Sequence, residues 1–574
     1  MMSLLDDQPQ RMAREKRQLE ALARGESWFR MQDWSLTAAG DLEVRFTLKL
    51  LNGTFDGVLA YPRFFPDVPA FIRPLRKGEA WSGHQYLGSG VLCLERGSDN
   101  WGPSVTGVDL VRSANKLLWG EALHVLLPDA SPAPSRHHLT PGQSVRDEPR
   151  RFLLTSEFIE HLAAGVPGLM WMLQTATTRL GDAEVTLPTA MGAETLQRLT
   201  RAPVVTGAEQ GQGWAIAVHA LPRAKVAALA DLVAIAGGAG KLPDDLHNKT
   251  VVVCSASRFI RAFALSASGG LSELAVIDAS AAEASRLPAD YAKLGAMTIA
   301  VVGLGSLGSK IAVSLARSGA RKFALLDADV LLPQNLMRND LDWRDVGFAK
   351  VEATAERIRL VAPDAEVLAL SLEVAGQENP HATARLAELI GSCDLVVDAT
   401  ANPDTFVMLA ALCQRARVAL VWGEVFAGGF GALMARSRSG LDADPLSIRA
   451  HVFGTMGTMR PVPRVEARCY ALDVAGRVLV AGDAEVSHLA SAMTVFAVDA
   501  VCSRDASEYP VAAYLLGFKK FWEFKAPFDT IPIECPGASE AAPAQALSED
   551  EVSALGELVK AVQGGAGAAG NSSP

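Results

Sequence analysis

Gly303, Gly305 and Gly308 stand as GxGxxG in TIAVVGLGSLG, directly after an apolar run and before a helical pattern from Ser309 to Ser318. Glycines at this spacing permit a tight turn and close backbone approach, and the following helix offers free N-terminal N–H groups to phosphate. The next apolar run, KFALLD, ends in Asp327, 24 residues after Gly303, where a carboxylate can accept from ribose hydroxyls. Strand, glycines, helix, strand and acid in this order predict a nucleotide site; the alternative is a glycine turn that merely packs. The glycines alone do not separate nicotinamide from ATP chemistry. The continuation does, because DADVLLPQNLMRN and GFAK gather Asp327, Asp329, Asn335, Arg338 and Lys350 in one short segment. Hydride transfer has no need of an Arg and a Lys there. A triphosphate attacked at its α-phosphorus does, since cations hold the charge developing on phosphate oxygens and departing pyrophosphate. The bland alternative for each cation is a solvated surface charge.

Sulfur carries the second candidate chemistry. Seven cysteines, at 93, 254, 393, 413, 469, 502 and 535, form no CxxC pair, so neither a disulfide framework nor a cysteine-rich zinc site is expected. Cys93 lies between Leu92 and Leu94 after a glycine turn, with His84 upstream and Asp99-Asn100-Trp101-Gly102-Pro103 downstream. That setting supplies the partial exposure and donors a thiolate nucleophile needs, although a Cys flanked by Leu is ordinarily a small core residue. Cys502 follows the apolar helix Ser491 to Val501 and reads as core. Cys469, in VEARCYALD, alternates as in a packed strand. Cys535, in PIECPGA, is bounded by Pro and Gly, where a thiol can be exposed.

The elements that must position these groups fall into four parts. Residues 1–150 open with a helix, Pro9 to Arg24, followed by strands Trp28 to Trp34, Leu42 to Leu51 and Thr54 to Ala60. Short turns make these an antiparallel meander, and Val108 to Leu126 reads as a helix. Residues 151–292 show no chemistry and read as a linker or docking domain. In that part Arg151 to Leu162 and Ala215 to Ala236 look helical. Residues 293–540 alternate helical patterns with buried runs at Thr298 to Val302, Lys322 to Asp327, Glu366 to Leu370, Leu395 to Asp398 and Val418 to Trp422. That alternation predicts a doubly wound parallel α/β sheet. Residues 541–574 hold a short helix, Ser548 to Val562, and a partly disordered tail. The fold class expected is therefore α/β and α+β in several domains.

With 574 residues, 49% hydrophobic and 21% charged, the chain is neither fibrous nor largely disordered. The formal charge of −10 does not suggest direct nucleic-acid binding. The N-terminus lacks an apolar signal region, no run of 18 apolar residues occurs, and free thiols suit a reducing compartment, so a cytoplasmic protein without membrane contact is expected.

From Asp327 through Lys350 the chain resembles the ThiF-type adenylation domains of ubiquitin-activating enzymes and of the sulfur-carrier activators. The family's D-x-D…N-L-x-R and Lys match at Asp327, Asp329, Asn335, Arg338 and Lys350, and the resemblance covers about 293 to 500. It implies a Rossmann-like fold, adenylation of a protein's C-terminal carboxylate by ATP and Mg2+, and a homodimer. Where the family reads D-x-T-D-N, this chain has DATAN. Asp398 is kept as the nucleotide- and metal-associated acid, and Ala401 replaces the second, magnesium-associated Asp, a place that either Asp398 or Asp404 is left to fill. Over about 1 to 130, the meander, Y-P-x-x-F-P, His, L-C-L and N-W-x-P resemble the ubiquitin-conjugating fold, with Cys93 at the thioester position and Tyr86 where the family has an oxyanion-supporting Asn. The layout resembles bacterial activating–conjugating fusions of cyclic-oligonucleotide antiphage operons, whose late acceptor cysteine favours Cys535 over Cys469. The resemblance implies a relay from acyl-adenylate through Cys535 and Cys93 to acceptor protein amines. It also implies a donor that is the C-terminus of a cGAS-like nucleotidyltransferase or a ubiquitin-like protein. The rivals are an NAD-dependent oxidoreductase and a non-catalytic scaffold, the latter suggested by Ala401 and Tyr86.

Overall fold

Helical spacing puts Met12, Leu19 and Leu22 on one buried face of α1 (Pro9–Gly25), which starts on a Pro whose missing N–H costs nothing at that position. The computed structural model describes residues 4–51, 53–86, 89–126, 140–199, 207–222, 226, 228–237, 246, 248–279, 287–377, 379–461, 471–474, 477–503, 506–538, 548 and 551–559. The chain divides into two units, Met1–Asp147 and Glu148–Pro574.

In the first unit, α1 leads into β1 (Phe29–Leu36), β2 (Leu42–Leu50), β3 (Gly53–Tyr61) and β4 (Phe71–Pro74), an antiparallel sheet in chain order. The fourth strand has only four residues and was not expected. α2 (Gly107–Leu126) follows, and Leu110 and Val111 join Leu19, Phe46 and Leu59 in one core. A charge lies inside it. Glu15, fully buried, accepts from Arg11 Nε at 2.9 Å, Tyr61 Oη at 3.0 Å and the Gly107 N–H at 2.7 Å. The carboxylate thereby ties α1, β3 and the start of α2 together, and it holds Tyr61 protonated, burial and the adjacent charge both raising the phenol well above its usual range.

The second unit opens with β5 (Arg150–Leu154), α3 (Ser156–Ala163), β6 (Met170–Leu180), β7 (Ala183–Gly192), β8 (Gln197–Arg198), β9 (Glu209–Val218), α4 (Leu229–Ile235), β10 (Thr250–Ser255), β11 (Ile260–Leu265) and β12 (Leu271–Asp278). The strands run β5-β12-β11-β10-β9-β6-β7-β8, and β5 also pairs with β7, so the ladder closes on itself. Two expectations fail here. Arg151 to Leu162 is not one helix, because the Thr155 side chain accepts from the Phe158 N–H and starts a helix only after a strand. Ala215 to Ala236 begins as β9, since pairing with β6 and β10 overrides the helix preference of its alanines.

Beyond residue 292 the five expected runs form β13 (Thr298–Val302), β14 (Lys322–Leu326), β15 (Glu366–Leu370), β16 (Leu395–Asp398) and β17 (Ala419–Val425). They are parallel in the order β15-β14-β13-β16-β17. An antiparallel extension, β18 (Gly431–Ser437), β21 (Ala513–Gly517) and β22 (Thr530–Ile533), continues the sheet; β19 (Ala471–Val474) and β20 (Arg477–Val480) form a separate hairpin. The helices are α5 (Gly308–Arg317), α6 (Lys350–Val361), α7 (Pro380–Gly391), α8 (Pro403–Ala416), α9 (Pro445–Thr458) and α10 (Asp483–Cys502). Their apolar faces build two cores, one on each side of the sheet. α10 is long and apolar enough to cross a membrane, yet Leu489, Met493, Phe496 and Ala497 are fully buried in one of those cores. The chain reverses direction across the sheet between β13 and β16, where such folds open a crevice at the carboxyl ends of the strands.

Glu15→Ala leaves the Tyr61 hydroxyl and the Gly107 N–H without their acceptor. It should destabilise the first unit by about 2–4 kcal/mol, read as a lower denaturation midpoint with the second unit's transition unmoved.

Candidate functional site

The turn after β13 depends on missing side chains. Gly303 has φ +82°, and a Cβ there would lie 2.8 Å from Thr400 Cγ2 and 3.1 Å from the Thr400 nitrogen. A Cβ on Gly308 would come within 1.8 Å of the Gly303 carbonyl oxygen. Gly305 meets nothing within 4 Å. The first and third glycines thus close the turn, and the second leaves its backbone open to a cavity of about 420 Å³.

That cavity brings together Gly303, Gly305, Asp327, Asp329, Asn335, Arg338 and Lys350. Asp327 follows β14 and is fixed by two backbone donors, the Leu304 N–H at 2.6 Å and the Asp329 N–H at 2.8 Å. Lys350, the first residue of α6 and 6% exposed, reaches Asp329 Oδ2 at 2.7 Å, while its own N–H donates to the Asp329 carbonyl at 2.9 Å. Asn335 accepts from the Leu332 N–H through Oδ1, shaping the 3-10 turn Pro333–Met337 that delivers Arg338. Arg338 Nη1 donates to the Ala481 carbonyl at 3.3 Å. Sequence reading singled out Ala401 on the opposite wall but missed Thr400 beside it after β16, Glu424 within β17 and Ala481 after β20. Only tertiary folding brings those positions to the turn.

Asp398 is not in this cavity. It is 3% exposed, accepts from the Thr400 N–H and hydroxyl at 3.0 and 2.6 Å, and lines a narrow adjoining cleft with Glu424 and Arg449. Burial raises the carboxyls of Asp398 and Glu424, while Arg449 opposes the rise at both. Among the described residues no group of three or more His, Cys, Asp or Glu could hold a metal ion. This donor set still fits Mg2+ bound in the way that ion prefers, by one or two carboxylates plus substrate phosphates. Glu424 and Ala401 line both spaces, and Ala401 adopts φ +53°, the left-handed region that a side chain disfavours.

In the first unit, the Cys93 N–H donates to the His84 carbonyl and the Tyr86 N–H to the Val91 carbonyl, both at 2.8 Å, and Gln85 bridges Leu92. This short antiparallel pairing turns Leu92 and Leu94 into the core and Cys93 outward. Cys93 is half-buried in a groove of about 380 Å³ lined also by Pro69, Phe71, Tyr86, Val91 and Arg96. The Tyr86 hydroxyl hydrogen-bonds to Cys93, and its phenol is pushed up to about 12, by that bond first and by burial and the charges of Cys93 and Asp99 after it. The loop beyond is braced by Asn100, which accepts from the Gly97 N–H and donates to the Glu95 carbonyl, and by Trp101 Nε1 on the Pro66 carbonyl at 2.7 Å. His84 lends backbone groups; its side chain is not part of the groove lining.

The remaining thiols are placed differently. Cys254, Cys393, Cys413 and Cys502 are buried, and burial pushes Cys393 to about 11 and Cys413 to about 12. Cys469 lies outside the described residues. Cys535 is half-buried against the core, and burial, Asp442 and Glu534 all raise its thiol. Register carries Asp398 across Trp422, Ala435 and Ala513 to Ile533, the last residue of β22, a strand that points toward the amino ends of the parallel strands. Cys535 therefore follows a strand heading away from the nucleotide cavity, and the fold does not bring the two together.

A glycine turn at the reversal point of a parallel sheet, closed over by carboxylates and cations, defines a nucleotide-binding α/β domain. Residues 280–488 match the ThiF family, so the C-terminal region of this chain is a ThiF domain. The chain is 40% identical over 147 residues to the uncharacterized protein y4qC of Sinorhizobium fredii, covering 25% of this chain and 24% of that one. It is 39% identical over 111 residues to the ATP-dependent ubiquitin transferase-like protein Cap2 of Pseudomonas aeruginosa, covering 19% and 18%. It is also 31% identical over 140 residues to the SAMP-activating enzyme E1 of Haloferax volcanii, covering 24% and 49%. The match thus spans a quarter or less of the first two relatives and about half of the third. The solved structure of E. coli MccB with ATP is similar over 44% of this chain and 67% of that chain, at 16% identity and a TM-score of 0.33, too weak a likeness to carry an argument.

Gly303→Ala forces a Cβ against Thr400 in a left-handed conformation. It should lower stability by about 1–3 kcal/mol, measured as the denaturation midpoint of the second unit, whereas Gly454→Ala within α9, where a Cβ meets nothing, should raise stability by about 0.5–1 kcal/mol.

Proposed function

We propose that the chain uses ATP and Mg2+ to adenylate the C-terminal carboxylate of a partner protein and passes the acyl group through thioesters to an amine. The observation that carries this reading is the cavity that gathers Gly303, Gly305, Asp327, Arg338 and Lys350 inside a ThiF domain. Asp327, already oriented by two backbone donors, presents its remaining lone pairs to ribose hydroxyls. The open backbone at Gly305 and the N-terminus of α5 receive phosphate. Asp398 or Glu424, together with the phosphates, would hold Mg2+, and the ion would there supply charge neutralisation. The partner's carboxylate oxygen attacks the α-phosphorus, the bond to the bridging oxygen breaks, and pyrophosphate leaves. Lys350 and Arg338 stabilise the charge that builds on it. A thiolate then attacks the acyl carbon and AMP departs.

In the second unit we assign that thiol to Cys535, with Cys469 as the other candidate, and the next acceptor to Cys93, whose groove and outward sulfur suit acyl exchange. An amine of an acceptor protein completes the transfer. The donor in this reading is the C-terminus of a cGAS-like nucleotidyltransferase or of a ubiquitin-like protein, as the Cap2 and E1 relatives suggest. Met337, Trp343 and Phe348 are large, apolar and exposed beside the site, which supports a homodimer through this domain. An NAD-dependent oxidoreductase would leave Arg338 and the Lys350–Asp329 pair without a task.

With ATP and a partner C-terminal peptide, pyrophosphate exchange should fall about 10²-fold or more in Lys350→Ala and in Arg338→Ala. Unchanged exchange in both variants would remove the adenylation reading. Cys93→Ala and Cys535→Ala should keep exchange and lose conjugation, with intact mass showing a thioester stalled on Cys535 in Cys93→Ala and no thioester on Cys93 in Cys535→Ala. Conjugation that survives Cys93→Ala would rule the relay out.

A further inference from the structure

Tyr86 occupies an unusual position for a half-exposed tyrosine. The pairing of 84–86 with 91–93 fixes its backbone, the residue is 51% exposed on the wall of the groove it shares with Cys93, and its hydroxyl hydrogen-bonds to the Cys93 side chain. The carbonyl oxygen of an acyl group on Cys93 would lie only two bonds from the sulfur that the phenol already reaches.

We propose that Tyr86 is a catalytic residue: its hydroxyl donates to Cys93 Sγ in the free thiol and to the acyl oxygen when the thioester is attacked. The amine nitrogen forms a bond to the thioester carbon, and the carbonyl π pair moves onto oxygen. The Tyr86 hydroxyl hydrogen-bonds to that oxyanion without giving up its proton. Collapse restores the carbonyl, breaks the C–S bond and releases Cys93 as thiolate, while the ammonium proton passes to solvent. The donor must stay protonated for this work. With Cys93 acylated the thiol no longer raises the phenol, but burial and Asp99 still do, and a tyrosine is protonated at neutral pH in any case.

This inference rests on Cys93 being the acyl carrier, so its test loads Cys93 without ATP. The full chain is incubated with a peptide α-thioester, acylation of Cys93 is mapped by mass, and discharge to free lysine is followed. Tyr86→Phe keeps the ring and removes only the donor. It should load as wild type and discharge about 10²-fold more slowly. A fluorinated tyrosine at 86, whose phenol ionises far lower, should discharge normally at low pH and lose rate as that phenol deprotonates. A purely structural role would show no such limb. Equal discharge by Tyr86→Phe and wild type overturns the proposal while leaving the relay standing. Chemical loading with normal Tyr86 dependence, but no Cys93 adduct from ATP and partner, overturns the relay and leaves Tyr86 assigned. Failure of Cys93 to accept the peptide at all overturns both.

Discussion

The gap between the turn after β13 and the turn after β16 is set by two absent side chains, and the nucleotide cavity exists because of that gap. Gly303 rests against Thr400 and Gly308 against the Gly303 carbonyl, so the two chain segments touch through backbone. From this contact the polar groups follow in sequence. The Leu304 N–H fixes Asp327, and the Leu304 carbonyl accepts from Asn339 Nδ2 at 3.1 Å. Asp327 fixes the Asp329 N–H, and Asp329 holds Lys350. Each link is a hydrogen bond to or from a fixed neighbour, so the carboxylate and the ammonium are in place before any ligand arrives. Groups that need no reorganisation stabilise developing charge at least expense.

The Lys350–Asp329 pair illustrates how such a site holds a cation without being locked by it. Lys350 is almost wholly buried, whereas the Asp329 side chain is largely exposed. The carboxylate keeps its water, so it compensates the ammonium's lost hydration only in part, and the pair adds little net stability. It does give the ammonium one orientation, toward the cavity.

The sequence displayed the site more clearly than the scaffold around it. Glycine spacing and the Asp327-to-Lys350 segment are local, and their chemistry depends on few neighbours, so seven of the positions reappear around one cavity. Asp398 is the exception. The side chain turns into an adjoining cleft because Thr400 offers it two donors there, a preference that no spacing reveals. The five parallel strands were legible as continuous apolar runs. The antiparallel extension was not, since β18, β21 and β22 are separated by α9, α10 and the β19–β20 hairpin and pair only after those elements fold. In the middle sheet, alanine-rich β9 reads locally as helix, and strand pairing decides otherwise.

Burial sorts the thiols by what they can do. A sulfur nucleophile must ionise, and four of the described cysteines are sealed in cores that penalise charge. Cys93 escapes because alternation along a short strand sends the flanking leucines inward and leaves the sulfur facing a groove that contains a donor. Cys535 is half-exposed, yet its neighbours are Asp442 and Glu534, whose charges oppose a thiolate. Its segment is tied by the bridge between Asp442 and Gly537 and follows a strand directed away from the cavity. In the proposed relay, attack by Cys535 on an acyl-adenylate calls for its segment to leave this bridge, which would take the sulfur from Asp442, whereas Glu534, its neighbour in the chain, would move with it.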